Sequence, residues 1–156
     1  MIPLVKVGLP PKETLMPELE NVLYSGMIGE GEAVYEFERR FQKQFELKNS
    51  IAMSSGTGAL HSSLILSGVK PGDEVITTSM TAEPTNIAIL QVGAIPVFAD
   101  VDLLSGNIDP ASIERKITSK TKAILIVHYA GIPVRLKEIS NISRRYNMPL
   151  IEDCAH

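Results

Sequence analysis

The sequence contains little of what marks secreted, membrane-spanning and disulfide-bonded proteins. Cys154 is the only cysteine among 156 residues, which excludes an internal disulfide and fits a reducing cytoplasm. No apolar run approaches the roughly 18 residues of a membrane span. The N-terminal residues 1–6 lack the basic segment and apolar core of a signal peptide. We therefore expect a soluble, cytoplasmic protein.

Several catalytic and binding motifs are also missing. The chain has no Cys-x-x-Cys or His-x-x-x-His spacing, so the sequence predicts no metal site. It has neither a Gly-x-Ser-x-Gly nucleophile elbow nor a P-loop. The net charge is −3 and the basic side chains are scattered, so neither nucleic acid nor a membrane surface is an expected partner. These features indicate a class of protein but no function.

The sequence does contain a regular alternation of strand-like and helix-like segments. Helical spacing of apolar residues predicts two N-terminal helices, and strand and helix then alternate five times. The strands are continuously apolar, which is typical of a parallel sheet with helices on both faces. The predicted fold is an α/β three-layer sandwich with a mostly parallel sheet. Strands are predicted over residues 50–54, 74–78, 94–99, 122–128 and 149–153, and helices over 30–47, 57–67, 84–91, 110–117 and 136–146.

A loop of small polar residues, Ser54 to Gly58, lies where the first of these strands turns into a helix. Gly56 and Gly58 lack Cβ atoms, so backbone N–H groups can approach an anion there. The hydroxyl of Thr57 and the partial positive charge of a helix N-terminus add to this. The same pattern also suits an ordinary helix start, in which Ser or Thr caps the first turn. The loop alone leaves both interpretations open.

A carboxylate and an imidazole come together at the end of the last predicted strand. Asp153 closes the apolar run 148–151, and His156 lies shortly after it. A carboxylate fixed at such a strand end can keep a pyridinium nitrogen protonated, so that the ring withdraws electrons from a carbanion. Together with a phosphate loop this pattern suggests pyridoxal 5'-phosphate (PLP). Alternatively, Asp153 caps a following helix and His156 is a core histidine.

Other polar residues near the strand ends are weaker candidates. His128 and Tyr129 end the preceding strand at the same edge of the sheet, where they either line the cavity or are structural. Glu152 fits a solvent-exposed face, and His61 is expected to be structural because it lies inside a predicted helix. Cys154 is expected to pack inward rather than act as a nucleophile.

Seven short motifs appear in a recognisable order. They are Gly29-Glu30-Gly31 with Phe37-Glu38, Ser54–His61, Pro71–Val75, Gly93-Ala94 with Pro96-Val97 and Asp100–Asp102, Lys120–Ile124, Val127–Gly131 and Ile151–His156. Taken together, they resemble the N-terminal part of the PLP-dependent nucleotide-sugar aminotransferases. These are DegT-type proteins with the large-domain fold of the aspartate-aminotransferase type (fold type I). The resemblance covers essentially the whole chain.

The resemblance implies a role for each candidate residue. Gly56, Thr57 and Gly58 would bind the phosphate of PLP, largely through backbone amides. Asp153 would pair with the pyridinium nitrogen. His156 would lie near the phenolic oxygen of the ring, at a position where many family members carry Gln.

One position departs from the family pattern, and other family features lie further along. Many relatives carry an aromatic residue that stacks on the cofactor ring at the position of Ala82. The Schiff-base lysine of the family is not in this chain, because it lies downstream of the Asp153 motif, as do further strands and a small C-terminal domain. Residues 1–156 would then be the N-terminal part of the PLP-binding large domain. If the family strand order holds, the strand at residues 50–54 cannot join its sheet within these residues.

The resemblance implies a function for the parent protein. It would transfer an amino group from a donor such as glutamate to a keto-sugar carried on a nucleoside diphosphate, in amino-sugar or polysaccharide biosynthesis. A homodimer is implied, since a partner subunit normally completes such sites. Two alternatives stay open: a PLP-dependent sugar dehydratase of the same family, with histidine in place of the lysine, and a non-catalytic truncated or regulatory relative. Residues 1–156 alone are expected to be inactive and poorly soluble, because sheet edges and apolar helix faces would be uncovered.

Overall fold

Residues 8–155 are described by the computed structural model, and they divide into two compact units after Ala52. The first unit contains α1 (Lys12–Tyr24) and α2 (Glu32–Phe45). The second unit contains the strands β1 (Glu74–Thr78), β2 (Ile95–Ala99), β3 (Thr121–Val127) and β4 (Leu150–Asp153). Its helices are α3 (Gly56–Leu66), α4 (Glu83–Gln91), α5 (Pro110–Lys116) and α6 (Leu136–Arg145), with a one-turn 3-10 helix at Tyr129–Gly131. In this second unit, apart from the strand expected at residues 50–54, every predicted element is found with bounds within one residue of the prediction.

The helix α2 is amphipathic. Phe37, Phe41 and Phe45 recur at four-residue spacing, and neighbouring rings are tilted towards each other by 34° and 46°, with centroids 5.8 Å and 4.6 Å apart. On the same helix, Arg40 pairs with Glu36 at 2.6 Å. The helical spacing read from the sequence therefore identified this helix correctly.

Residues 50–54 do not form the strand that the sequence predicts. The hydroxyl of Ser50 donates a hydrogen bond to the carbonyl oxygen of Glu38 (2.9 Å), and the N–H of Ala52 donates to the Glu38 carboxylate (2.7 Å). A strand needs a neighbour to receive its backbone hydrogen bonds, and within residues 8–155 the sheet offers none to this segment. The strand prediction is wrong for this structure, and strand and helix alternate four times rather than five.

The second unit is built on a parallel sheet in the order β2-β1-β3-β4. All three neighbouring pairs run parallel, with Ile76 opposite Ile124 and Val127 opposite Asp153. Because β1 has β2 on one side and β3 on the other, the connections that leave β1 and β3 diverge. In open parallel sheets, the carboxyl ends of strands at such a switch point form the crevice in which ligands bind.

Helices cover both faces of the sheet. Side chains alternate along β3, so that Ala123 and Leu125 lie in one apolar cluster while Ile124 and Ile126 lie in a second. The first cluster includes buried residues of α3 and α4, and the second includes buried residues of α5 and α6. The predicted three-layer α/β fold is thereby confirmed. Within the described part of the chain, no helix is both long enough and apolar enough to cross a membrane.

Candidate functional site

Asp153 is the last residue of β4, and the strand alternation sets the direction of its side chain. Ile151 lies in the cluster that contains α3 and α4, so Asp153, two residues later, faces the same layer, whereas Glu152 faces the opposite layer. The carbonyl oxygen of Asp153 accepts a hydrogen bond from the N–H of His128 (3.2 Å). Only 8% of Asp153 is exposed. The structure thus places this carboxylate at the carboxyl edge of the sheet, next to the end of β3.

Both oxygens of the Asp153 carboxylate accept hydrogen bonds. The hydroxyl of Thr85, in the first turn of α4, donates to Oδ2 at 2.7 Å, and the N–H of Ala155 donates to Oδ1 at 3.0 Å. The second bond is the local turn that aspartate commonly forms with the residue two positions on. Thr85 is itself buried, and its hydroxyl oxygen lies 2.8 Å from that of Thr81. A buried carboxylate held in this way keeps one fixed orientation.

The predicted phosphate loop forms the start of α3. Ser55 caps this helix by accepting a hydrogen bond from the N–H of Gly58 at 3.1 Å. The N–H groups of Gly56 and Thr57 donate to no acceptor within residues 8–155, as is usual for the first turn of a helix. Gly56 is exposed. The ordinary capped helix start that the sequence left open is therefore present, and two further amides stay free for an anion.

The loop and the carboxylate belong to the same layer of the second unit. Helix α3 packs against β4, and Leu60 of α3 shares an apolar cluster with Ile151 of β4. The side chain of Asp153 faces this layer. The elements that carry the two predicted parts of the site are thus joined by one core cluster.

His128 and Glu152 form a hydrogen-bonded pair near the same edge. Nε2 of His128 lies 3.1 Å from the Glu152 carboxylate, and Nδ1 accepts a hydrogen bond from the N–H of Val134 at 3.3 Å. Because Nδ1 accepts, the proton lies on Nε2 and is donated to Glu152. The thiol of Cys154 lies near both side chains, so that three potential metal ligands lie within 4.8 Å of one another. A metal bound at Nε2 would require the ring proton on Nδ1, where the N–H of Val134 already donates, so this arrangement suits hydrogen bonding and not metal binding.

Cys154 differs from its expectation. It is exposed rather than packed inward, which corrects the prediction made from its position next to the strand. The reason is that β4 ends at Asp153, so Cys154 no longer follows the alternation of the sheet. Partial burial, and then the nearby carboxylates of Glu152 and Asp153, raise the pKa of its thiol. The raised pKa lowers the fraction of reactive thiolate at neutral pH.

The remaining predicted residues have mixed outcomes. His156 lies outside the described residues, so its role stays a prediction. His61 is half-buried within α3, and Ala82 is an exposed residue at the start of α4. Thr85 was missed as a partner of Asp153. The sequence carries no local signal for this pairing, because Thr81 lies before α4 rather than in it and Thr85 is 68 positions from Asp153.

The fold is an α/β sandwich with a buried carboxylate at the carboxyl edge of its parallel sheet, the edge at which proteins of this architecture commonly bind ligands. The sequence pattern of the DegT/DnrJ/EryC1/StrS aminotransferase family matches residues 11–156. The chain belongs to this family.

Solved structures agree with this assignment. The aminotransferase from Psychrobacter cryohalolentis is 38% identical over 90% of this chain and 36% of its own, with a TM-score of 0.84. NtdA from Bacillus subtilis, with bound cofactor PMP, is 32% identical over 91% of this chain and 33% of its own, with a TM-score of 0.82. GDP-4-keto-6-deoxymannose-3-dehydratase with a trapped PLP-glutamate geminal diamine is 32% identical over 89% of this chain and 38% of its own, with a TM-score of 0.80. The chain therefore spans less than two fifths of the length of each of these three relatives.

Proposed function

We propose that this chain is the N-terminal part of the PLP-binding large domain of a sugar aminotransferase. The observation that carries the proposal is the Asp153 carboxylate, buried at the carboxyl edge of the sheet with a hydrogen-bond donor on each oxygen. Each carboxylate oxygen has two lone pairs, so acceptor capacity is left for a protonated ring nitrogen. Family membership supports this use of the carboxylate.

The residues present fit the two ends of PLP. The free N–H groups of Gly56 and Thr57 at the N-terminus of α3 suit a phosphate dianion, and the helix dipole favours the same charge. Gly58 is proposed as a third contact, although Ser55 already accepts from its amide. Asp153 suits the opposite, cationic end of the ligand. His156 is proposed to lie near the phenolic oxygen of the ring.

The chemistry that PLP supplies when bound is electron withdrawal through its protonated ring, which stabilises negative charge on the substrate carbon next to nitrogen. The protein residues have simpler tasks. Asp153 holds the proton on the ring nitrogen by its negative charge and its fixed orientation. The amides of Gly56 and Thr57 would hold the phosphate of the bound cofactor. A lysine from outside residues 1–156 is proposed to move the proton.

The proposed reaction exchanges a carbonyl and an amine between two substrates. Glutamate becomes 2-oxoglutarate while the carbonyl of a nucleoside-diphosphate-linked keto-sugar becomes an amine, in amino-sugar or polysaccharide biosynthesis. The keto-sugar in the printed name of the dehydratase relative supports this substrate class. We also propose that the enzyme works as a cytoplasmic homodimer whose partner subunit completes the site.

A second candidate function is dehydration of a keto-sugar by the same cofactor. The 32% identity to GDP-4-keto-6-deoxymannose-3-dehydratase supports this candidate. The two functions differ at the family position that holds lysine in aminotransferases and histidine in the dehydratases. Reading the gene beyond the codon of His156 for that residue would distinguish them at the level of sequence.

A labelling experiment tests the proposal directly. The full-length protein, loaded with PLP, is incubated with ¹⁵N-glutamate and a panel of nucleotide-linked keto-sugars, and the products are analysed by mass spectrometry. Transfer of ¹⁵N to the sugar, together with formation of 2-oxoglutarate, is the expected result. A product that has lost a hydroxyl and carries no label would assign the dehydratase function instead. Absence of both products, with PLP bound, would contradict the proposal.

A further inference from the structure

We infer that Thr85 is a positioning residue for Asp153, and that Thr81 sets the direction in which the Thr85 hydroxyl donates. The three side chains form a linear series, with 2.8 Å between the two hydroxyl oxygens and 2.7 Å from Thr85 Oγ1 to Asp153 Oδ2. The inference rests on the proposed function, because it assigns Thr85 a role in how the carboxylate meets a ring nitrogen.

The direction of each hydrogen bond follows from the number of protons. An ionised carboxylate only accepts, and a threonine hydroxyl has one proton to donate. The proton of Thr85 therefore goes to Asp153 Oδ2. It follows that Thr85 Oγ1 accepts the proton of Thr81, although the geometry of that contact alone allows either direction. The series runs from Thr81 through Thr85 to Asp153.

The series fixes the plane of the carboxylate. The terminal torsion of aspartate is broad, so the strand end alone does not set it. Here Thr85 holds Oδ2 from α4, and the N–H of Ala155 holds Oδ1 from the chain after β4. Two donors from different segments, one on each oxygen, leave a single orientation for the remaining lone pairs.

The place of Thr85 in α4 adds an electrostatic contribution. Thr85 is the third residue of a nine-residue helix, and only 2% of it is exposed. The first turn of a helix carries partial positive charge. The Asp153 carboxylate, bonded to a side chain in that turn, is thus held at the end of α4 that favours an anion. Because Thr85 is buried, a water molecule cannot easily replace its hydroxyl as the donor to Asp153.

The test compares two substitutions of Thr85 in the full-length protein loaded with ¹⁵N-labelled PLP. Thr85→Val keeps the shape and removes the hydroxyl, whereas Thr85→Ser keeps the hydroxyl. The first readout is the ¹⁵N chemical shift of the ring nitrogen, which reports its protonation and hydrogen bonding. The second is kcat for amino transfer, set against KM for the amino donor.

We expect Thr85→Val to move the ¹⁵N shift toward that of an unprotonated ring. It should also lower kcat by about tenfold, or about 1.4 kcal/mol in the activation barrier, because the carboxylate would lose one of the two hydrogen bonds that fix its plane. KM should change little, and Thr85→Ser should restore both readouts. Thr77→Val is the matched control, because Thr77 is also buried and also bonds a residue of α4, but bonds Asn86 rather than Asp153. It should leave the shift and kcat unchanged.

The outcomes separate this inference from the proposed function. A wild-type shift and kcat in folded Thr85→Val would overturn the positioning role. If Asp153→Asn abolishes the protonated-ring signal while Thr85→Val does not, only the Thr85 inference fails. If Asp153→Asn leaves the signal intact, the proposed function fails as well. If Thr85→Val does not fold, Thr81→Val is tested instead, since Thr81 is only half-buried. A ¹⁵N shift equal to that of the wild type in this variant would overturn the hydrogen-bonded series from Thr81 to Asp153.

Discussion

The two ends of the candidate site differ in how far the chain itself satisfies their polar groups. At the Asp153 end, each carboxylate oxygen already has a donor, and the residue is 8% exposed. At the start of α3, the amides of Gly56 and Thr57 donate to no acceptor within residues 8–155, and Gly56 is exposed. Folding satisfies both oxygens of the carboxylate, whereas it leaves these two amides available for the anion that we propose.

This difference separates two properties of an enzyme. A carboxylate whose orientation is fixed by folding acts on the electronic state of a bound ring, and so on the rate of the chemical step. Open amides at a helix N-terminus act on affinity for a phosphate, whatever reaction follows. Substitutions at the two ends should therefore lower different quantities, and four variants test this in order of expected effect.

The largest effect is expected for Asp153→Asn. The variant keeps the shape of the side chain but loses the negative charge that pairs with a ring nitrogen. Removing one partner of a buried ion pair costs about 3–5 kcal/mol, so kcat should fall by roughly a hundredfold or more. PLP affinity, measured by equilibrium dialysis, should fall less, because the start of α3 is intact. Near-normal turnover would remove Asp153 from the proposed site.

A loss of affinity is expected for Thr57→Pro. Proline removes the N–H of residue 57 and disfavours the helical conformation of the preceding Gly56. One lost hydrogen bond to an anion is worth about 1.5–3 kcal/mol, so PLP affinity should fall roughly tenfold to a hundredfold. Thr57→Ala is the matched control, since it keeps the amide and loses only the hydroxyl. Unchanged affinity in folded Thr57→Pro would place the anion elsewhere.

A smaller effect is expected for Ser55→Ala. The variant removes the cap that accepts from the N–H of Gly58. Loss of such a cap costs about 1 kcal/mol, so the Tm should fall slightly. PLP affinity should change less than in Thr57→Pro, because the backbone amides remain. Thermal unfolding with and without PLP measures both quantities. An affinity loss as large as that of Thr57→Pro would mean that the Ser55 hydroxyl itself binds the ligand.

The layout of the second unit was predictable from the sequence because short-range interactions determine where most of its helices and strands begin and end. The apolar run in β3 and the Pro-Gly-Asp turn before β1 each fix a boundary by short-range chemistry, and the turn is closed by Asp73 accepting from the N–H of Lys70 at 2.9 Å. Short-range interactions do not determine the structure of residues 50–54 in the same way. Their β-like composition needs a sheet neighbour, and Ala52 bonds to Glu38 instead.

The candidate site was predictable only in part, for a related reason. Asp153 could be placed at a strand end by counting along β4, because alternation is a local property. Its bond to Thr85 could not be derived in this way, since the two residues are 68 positions apart and meet only through the order of the strands. The proton position on His128 depends on Val134 and Glu152 in the same non-local way.

The smallest effect is expected for Glu152→Gln, which removes the charge of the carboxylate next to Asp153 in β4. Glu152 and Asp153 are adjacent carboxylates on opposite faces, and Glu152 pairs with the imidazole of His128 instead of a buried hydroxyl. Its side chain is 38% exposed, and exposed pairs contribute about 0–1 kcal/mol, so the free energy of unfolding should change by less than about 1 kcal/mol. Turnover should stay within about twofold of the wild type, which corresponds to less than half a kcal/mol in the activation barrier. Chemical denaturation and a steady-state assay measure these quantities side by side with Asp153→Asn. If Glu152→Gln lost as much activity as Asp153→Asn, a functional carboxylate would have to lie on the α5/α6 face of the sheet, because the side chain of Glu152, unlike that of Asp153, faces those helices.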